Sequence, residues 1–123
     1  MKVFKKQTKT ESTICPSLGP LELDILKLVW KEPQCVVRGI MVKLNKNRSK
    51  QDKLAYTTVM TIMRRLMDKG LLSRTKESRS YVYAATQPPQ EFISKVVDKA
   101  ITEVIEMYGE AAIGAFKQQL KHL

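Results

Sequence analysis

A chain of 123 residues with a net charge of +10 and 43% hydrophobic residues is long enough for one modest domain with a small appendage. Aromatic residues make up only 7%, so Leu, Ile, Val and Met must fill the core. No apolar run reaches the length of about 18 that spans a bilayer, and the basic start MKVFKKQTKT lacks the apolar centre of a secretory signal, so a cytoplasmic protein with reduced cysteines and no membrane partner is expected.

The charge is unevenly placed. Residues 48–79 hold nine basic and three acidic side chains, a net of +6, while residues 80–123 hold four and five, a net of −1. A basic patch confined to one segment is the footprint of a polyanion partner, and a near-neutral apolar end suits a protein partner. Cys15 and Cys35 form no CxxC or CxC pair, and His122 has no second histidine or nearby cysteine, so no metal and no cofactor is expected. Cys35 stands in an apolar run and reads as a small buried residue rather than a redox sensor.

Residues 1–16 are polar, basic and without period, which predicts a flexible N-terminal arm; an extra phosphate contact is the second reading. Leu18-Gly19-Pro20 opens a first helix, since proline in the first turn lacks only an N–H that would be unpaired there anyway. Leu21, Ile25, Leu28 and Val29 recur at helical spacing with Leu26 and Trp30 at the flanks, and Pro33 forbids continuation. Trp30 reads as a core anchor. Cys35-Val36-Val37 predicts a short strand pairing with a later hairpin. Residues 38–44 predict a second helix with Ile40, Met41 and Leu44 inward. The polar stretch 45–53, NKNRSKQDK, reads as a loop, with Asn45 taking the left-handed geometry of a helix end. Its basic residues face either phosphate or water.

The stretch 54–70, LAYTTVMTIMRRLMDKG, splits at helical period into two faces. Ala55, Val59, Ile62, Met63 and Leu66 form an apolar stripe. Thr57, Thr61, Arg64 and Asp68 lie opposite, with Thr58 and Arg65 at the flank and Tyr56 at the head. Short hydroxyls followed by arginines one turn later can hydrogen-bond base edges and phosphates in a major groove. An ordinary amphipathic helix with a solvated face is the other reading of this stretch alone. Gly70 then stops the helix, and residues 71–75 and 80–86 alternate as a hairpin with the tip at 76–79. Arg74, Lys76 and Arg79 place charge along it, as on a wing lying against backbone phosphates.

Pro88-Pro89 marks a boundary. Beyond it Phe92/Ile93, Val96/Val97, Ala100/Ile101, Val104/Ile105 and Tyr108 recur four apart, Gly109 breaks the pattern, and Ala111, Ala112, Ile113, Phe116 and Leu120 make a second amphipathic helix. Such a helical pair is too small to hold its own core. Burial against a second copy resolves this, through Phe92, Val96, Val97, Ile101, Val104, Ile105, Tyr108, Ile113 and Phe116; folding back on the first domain is the alternative. The expected fold is therefore mainly α with a small β-wing. A winged helix-turn-helix spans residues 17–87, and a helical dimerisation arm spans 88–123.

LGPLELDILKLVWKE, VRGIMVKLN and LAYTTVMTIMRRLMDKGLLSRTKESRSYVYAAT together resemble the penicillinase-repressor family, also called BlaI/MecI/CopY, over residues 18–86. The resemblance implies a non-enzymatic homodimer that represses transcription from an inverted-repeat operator in double-stranded DNA. By position it implies that Thr57, Thr58, Thr61, Arg64 and Arg65 face DNA, with Lys76 and Arg79 at the wing. Two branches of the family do not carry over. The copper-responsive members have C-terminal cysteine pairs, and here no cysteine follows Cys35. The β-lactam-responsive members are cut at an Asn-Phe bond in the arm, and here no asparagine follows Asn47. The relieving signal, an unidentified effector or protease, stays open.

A winged helix that binds protein is the rival reading, against which the basic skew of residues 48–79 argues. A nucleic-acid enzyme lacks a paired set of carboxylates on the basic face. Asp68 reads as the charge partner of Arg64 or Arg65.

Overall fold

The computed structural model describes residues 17–123, so the expected arm at residues 1–16, with Cys15, lies outside the described residues. The described chain forms two compact units, one reaching Pro89 and one starting at Gln90. The first contains helices α1 (Pro20–Trp30), α2 (Val37–Asn45) and α3 (Tyr56–Asp68), then strands β1 (Leu72–Glu77) and β2 (Ser80–Ala85). The second is built on α4 (Pro89–Tyr108) and α5 (Ala111–Leu120).

Helix α1 starts with Pro20 at its first position, and Glu22 reaches back to accept the Gly19 N–H at 3.0 Å. The same carboxylate accepts Lys69 Nζ at 3.0 Å, and Lys69 also donates to the Ser17 carbonyl at 2.9 Å. The start of α1 is thereby fastened to the residue that closes α3. The Gly19 N–H, then Lys69, hold the Glu22 carboxyl below its usual value. The buried face of α1 is Ile25, Leu26 and Val29, while Leu21, Leu28 and Trp30 are half-buried. The core axis is thus rotated toward Leu26 from the stripe expected, and Trp30 covers the core edge.

The expected third strand is reduced to one bridge. Cys35 N–H donates to the Tyr83 carbonyl at 2.9 Å, and Tyr83 N–H donates back at 2.7 Å. Cys35 is buried, and that burial, aided by the charge of Glu32, pushes its thiol up, so little thiolate exists near neutral pH. Helix α2 then runs from Val37, one residue earlier than expected, and buries Val37 and Ile40, with Met41 and Leu44 half-buried.

Asn45 does not adopt a left-handed conformation. The chain stays right-handed through Lys46, and the Asn45 amide instead clamps the far end of the loop. Its Oδ1 accepts the Leu54 N–H at 2.8 Å and its Nδ2 donates to the Leu54 carbonyl at 3.0 Å. This pair of bonds closes the 45–54 loop, which contains a single 3₁₀ turn (Lys50–Asp52), and sets where α3 begins.

Helix α3 starts at Tyr56. Ala55, expected in the apolar stripe, is the exposed residue ahead of the first turn, and its carbonyl accepts the Thr58 and Val59 N–H groups. Val59, Ile62, Met63 and Leu66 are buried. Gly70, at φ +81°, ends the helix: its N–H meets the Met67 carbonyl at 2.9 Å, and Leu71 N–H meets the Leu66 carbonyl at 2.9 Å. That crossed pair is a Schellman motif, with Leu66 and Leu71 both buried beneath it.

Strands β1 and β2 pair antiparallel, with Leu72 opposite Ala85, Arg74 opposite Tyr83 and Lys76 opposite Tyr81. The turn is shorter than the four residues expected. Lys76 and Glu77 belong to β1, leaving Ser78 and Arg79 as the loop. Ser78 has φ +58°, a conformation that disfavours any residue with a Cβ. Ser78→Gly is expected to stabilise the protein by about 0.5–1 kcal/mol, after allowing for the greater freedom of glycine when unfolded. Calorimetry should show a Tm a few degrees higher; a lower Tm would mean that the serine side chain stabilises the turn.

In the second unit Gly109, at φ +74°, turns the chain between α4 and α5. The two helices enclose an apolar hollow of about 310 Å³ lined by Ala100, Ile101, Val104, Ile105, Ala112, Ile113 and Phe116. Lys95–Glu91 and Lys99–Glu103 pair at one-turn spacing along α4.

Candidate nucleic-acid interface

The period that buries Val59, Ile62, Met63 and Leu66 leaves the opposite side of α3 to solvent. Thr57, Thr58, Thr61, Arg64 and Arg65 are all exposed, and Tyr56 is 42% exposed at the head. Helices α2 and α3 pack on each other across the loop closed by Asn45, which makes them a helix-turn-helix. No ion pair joins Asp68 to Arg64 or Arg65 among the described residues. The Asp68 charge acts instead on Arg74 in the wing.

The wing residues differ in their freedom. Arg74 lies over the Tyr81 ring at 3.9 Å from its centroid and donates from Nη1 to the Tyr83 hydroxyl at 3.2 Å. That hydroxyl, more than any other group, raises the Arg74 pKa. Tyr83 itself is 1% exposed, so Arg74 is anchored to the core rather than free at the surface. Lys76 is exposed, 6.0 Å from the same Tyr81 ring, and Arg79 is exposed in the turn.

Four of the expected residues meet in one place. Tyr56, Arg64, Arg74 and Arg79 line a cleft of about 440 Å³ between the helices and the wing, together with Arg38, Tyr81 and Tyr83. Thr57, Thr58, Thr61 and Arg65 lie along the exposed helix outside that lining, as does Lys76 on the wing. Arg38 was missed by sequence reasoning. It stands in the first turn of α2, where no acidic residue balances it and the helix dipole disfavours a cation. That misplaced charge was the available signal. Its guanidinium lies 5.8 Å from the Tyr56 ring centroid, which links α2 to the head of α3.

On the second unit, Val96, Val97, Val104, Tyr108, Ile113 and Phe116 are exposed, and Ile101 and Ile105 are half-buried. Phe92 departs from the rest of the expected dimerisation set, being only 6% exposed within the single chain.

A helix-turn-helix followed by a two-stranded hairpin, with arginines on both, defines a basic winged helix-turn-helix protein. Residues 18–122 match the family described as Penicillinase repressor, and the chain belongs to that family. The transcriptional regulator BlaI of Mycobacterium tuberculosis is 33% identical over 88 residues, covering 70% of this chain and 60% of that protein. The penicillinase repressor of Bacillus licheniformis is 28% identical over 78 residues, covering 63% and 58%. The match therefore spans 58–60% of the length of these relatives. The solution structure of the DNA-binding domain of the repressor BlaI superposes with a TM-score of 0.53 at 26% identity, over 63% of this chain and 90% of that one. The structure of H. salinarum RosR superposes with a TM-score of 0.54 over 89% of this chain and 96% of that one; at 16% identity the likeness is one of fold alone. Among the described residues no helix is long and apolar enough to cross a membrane.

Proposed function

We propose that this protein is a homodimeric transcriptional repressor, without catalytic activity, that reads an inverted-repeat operator and blocks transcription by occupying it. The observation that carries this reading is the exposed Thr57, Thr58, Thr61 and Arg64 face of α3 beside a cleft lined by four arginines. The threonines and Arg64 reach base edges in the major groove. Arg65, Lys76 and Arg79 contact phosphates, and Arg74 and Tyr56 shape the surface between them. The apolar face of α4 and α5, without Phe92, joins two copies and sets the spacing of their reading helices. A signal that weakens that joint, or distorts the spacing, relieves repression.

Footprinting of the full chain on the DNA upstream of its own gene, over a salt series, tests the proposal. A twofold-symmetric protected site that persists at moderate salt is the expected result. On that site Arg64→Ala and Thr61→Ala should each weaken binding by about 1–3 kcal/mol, with less effect on a scrambled duplex. Uniform protection at low salt that vanishes at moderate salt overturns the sequence-reading proposal and leaves a basic domain of non-specific affinity.

A further inference from the structure

We propose that the cleft between α2, α3 and the wing is the seat of one DNA backbone phosphate, and that Arg38 is a direct contact to it. The inference rests on the repressor reading and adds a residue on α2 to the interface.

Arg38, Arg64, Arg74 and Arg79 line one hollow of about 440 Å³, and among the described residues its lining contains no carboxylate. Four lysines elsewhere on the described surface meet acids: Lys43 pairs with Glu32, Lys69 with Glu22, Lys95 with Glu91 and Lys99 with Glu103. Arg38, Arg64 and Arg79 have no such partner among the described residues. Four guanidinium groups around one hollow repel each other, and an anion entering it removes that repulsion while gaining charge-assisted bonds. Guanidinium is also the cation whose planar fork matches phosphate oxygens in pairs.

Position selects the source of the phosphate. Arg64 belongs both to the cleft and to the exposed face of α3, and Arg79 is the wing turn itself. A duplex laid along α3 and under the wing therefore runs its backbone over this hollow. The remaining walls are tyrosine rings with Val36, Val37, Met60 and Ser80, a mostly apolar surface that suits the sugar on either side of a phosphodiester. Arg74 is a positioning residue here: its stack on Tyr81 and bond to Tyr83 hold the wing side of the seat in place.

Arg38→Ala in the full chain provides the test, since Arg38 is exposed and its loss leaves the core untouched. Binding to the footprinted site and to a scrambled duplex is measured from 0.1 to 1 M salt. The expected result is a salt slope shallower by about one phosphate and an about eightfold loss at 0.1 M, equal on both duplexes. Arg38→Lys, which keeps the charge, should recover most of the slope. A duplex with one methylphosphonate at the seated position should weaken the wild type and leave the Arg38→Ala protein unaffected. Unchanged slope and affinity in Arg38→Ala, with the wild type still protecting its site, overturns the seat alone. Loss on the specific duplex only overturns it too, since that is the mark of a base contact. Arg38-dependent binding of inorganic phosphate at sub-millimolar concentration, without DNA, would make the cleft a small-anion pocket and overturn the assignment to the backbone. Failure of the wild type to protect any site is the separate failure of the repressor reading.

Discussion

If the proposed homodimer forms through α4 and α5, Ile101→Asp should leave a monomer in sedimentation and weaken operator binding by more than about a hundredfold. Ile101 lines the apolar hollow between α4 and α5 with Val104, Ile105, Ile113 and Phe116. A single chain leaves Val104, Ile113 and Phe116 exposed around it, a patch of the kind that marks an interface. A carboxylate placed there must be desolvated without a partner when two copies meet, which disfavours the assembled state by several kcal/mol. Once the copies separate, each half-site is bound alone and the second contact is no longer intramolecular. Ile101→Leu, with the same bulk and no charge, should keep both properties. An Ile101→Asp protein that sediments as the wild type does would place the interface elsewhere.

Leu66→Ala should lower the stability of the winged-helix unit by about 2–5 kcal/mol, a large share of the roughly 5–15 kcal/mol typical of a domain. Leu66 is fully buried, its carbonyl closes the Schellman motif, and Leu71 on the other side of the turn is buried as well. Removing the Leu66 side chain opens a cavity at the joint between α3 and the wing. Urea denaturation followed by circular dichroism should show a lower midpoint at an unchanged slope. Leu66→Met, which nearly conserves volume, should lose less than about 1.5 kcal/mol. A loss below about 1 kcal/mol for the alanine variant would show that the surrounding side chains collapse into the space.

Helical and strand periods made most of this architecture legible in the sequence. The buried Val59, Ile62, Met63 and Leu66, the stop at Gly70, the hairpin and the break at Gly109 all follow from patterns local to a few residues. What was not legible depends on contacts between segments distant in the chain. Nothing in the neighbourhood of Asn45 says that its amide will bind the backbone of Leu54 nine positions on, so a local rule for helix ends misassigned it. The choice of Leu26 over Leu28 for the core face depends on how α1 rotates against β2 and α3. Counting charges along the chain grouped Arg74 with the free wing cations. Only the pairing register shows that Tyr83 lies directly opposite and Tyr81 two pairs further out. The same holds for Arg38, which is 26 positions before Arg64 in sequence and shares a cleft with it in space.

Tyr83 gives the wing a mechanical property. Its backbone is pinned to Cys35 just ahead of α2, its hydroxyl is pinned to Arg74, and its ring is sealed in the core. A hairpin tethered only at its base swings freely, but this one is bolted partway along its length to the segment that launches α2. The outer rungs beyond Arg74, which carry Lys76 and lead to Arg79 in the turn, have no such bond to the segment before α2 among the described residues. The inner half of the wing and the start of α2, with Arg38 in its first turn, are therefore joined through the Cys35–Tyr83 bridge.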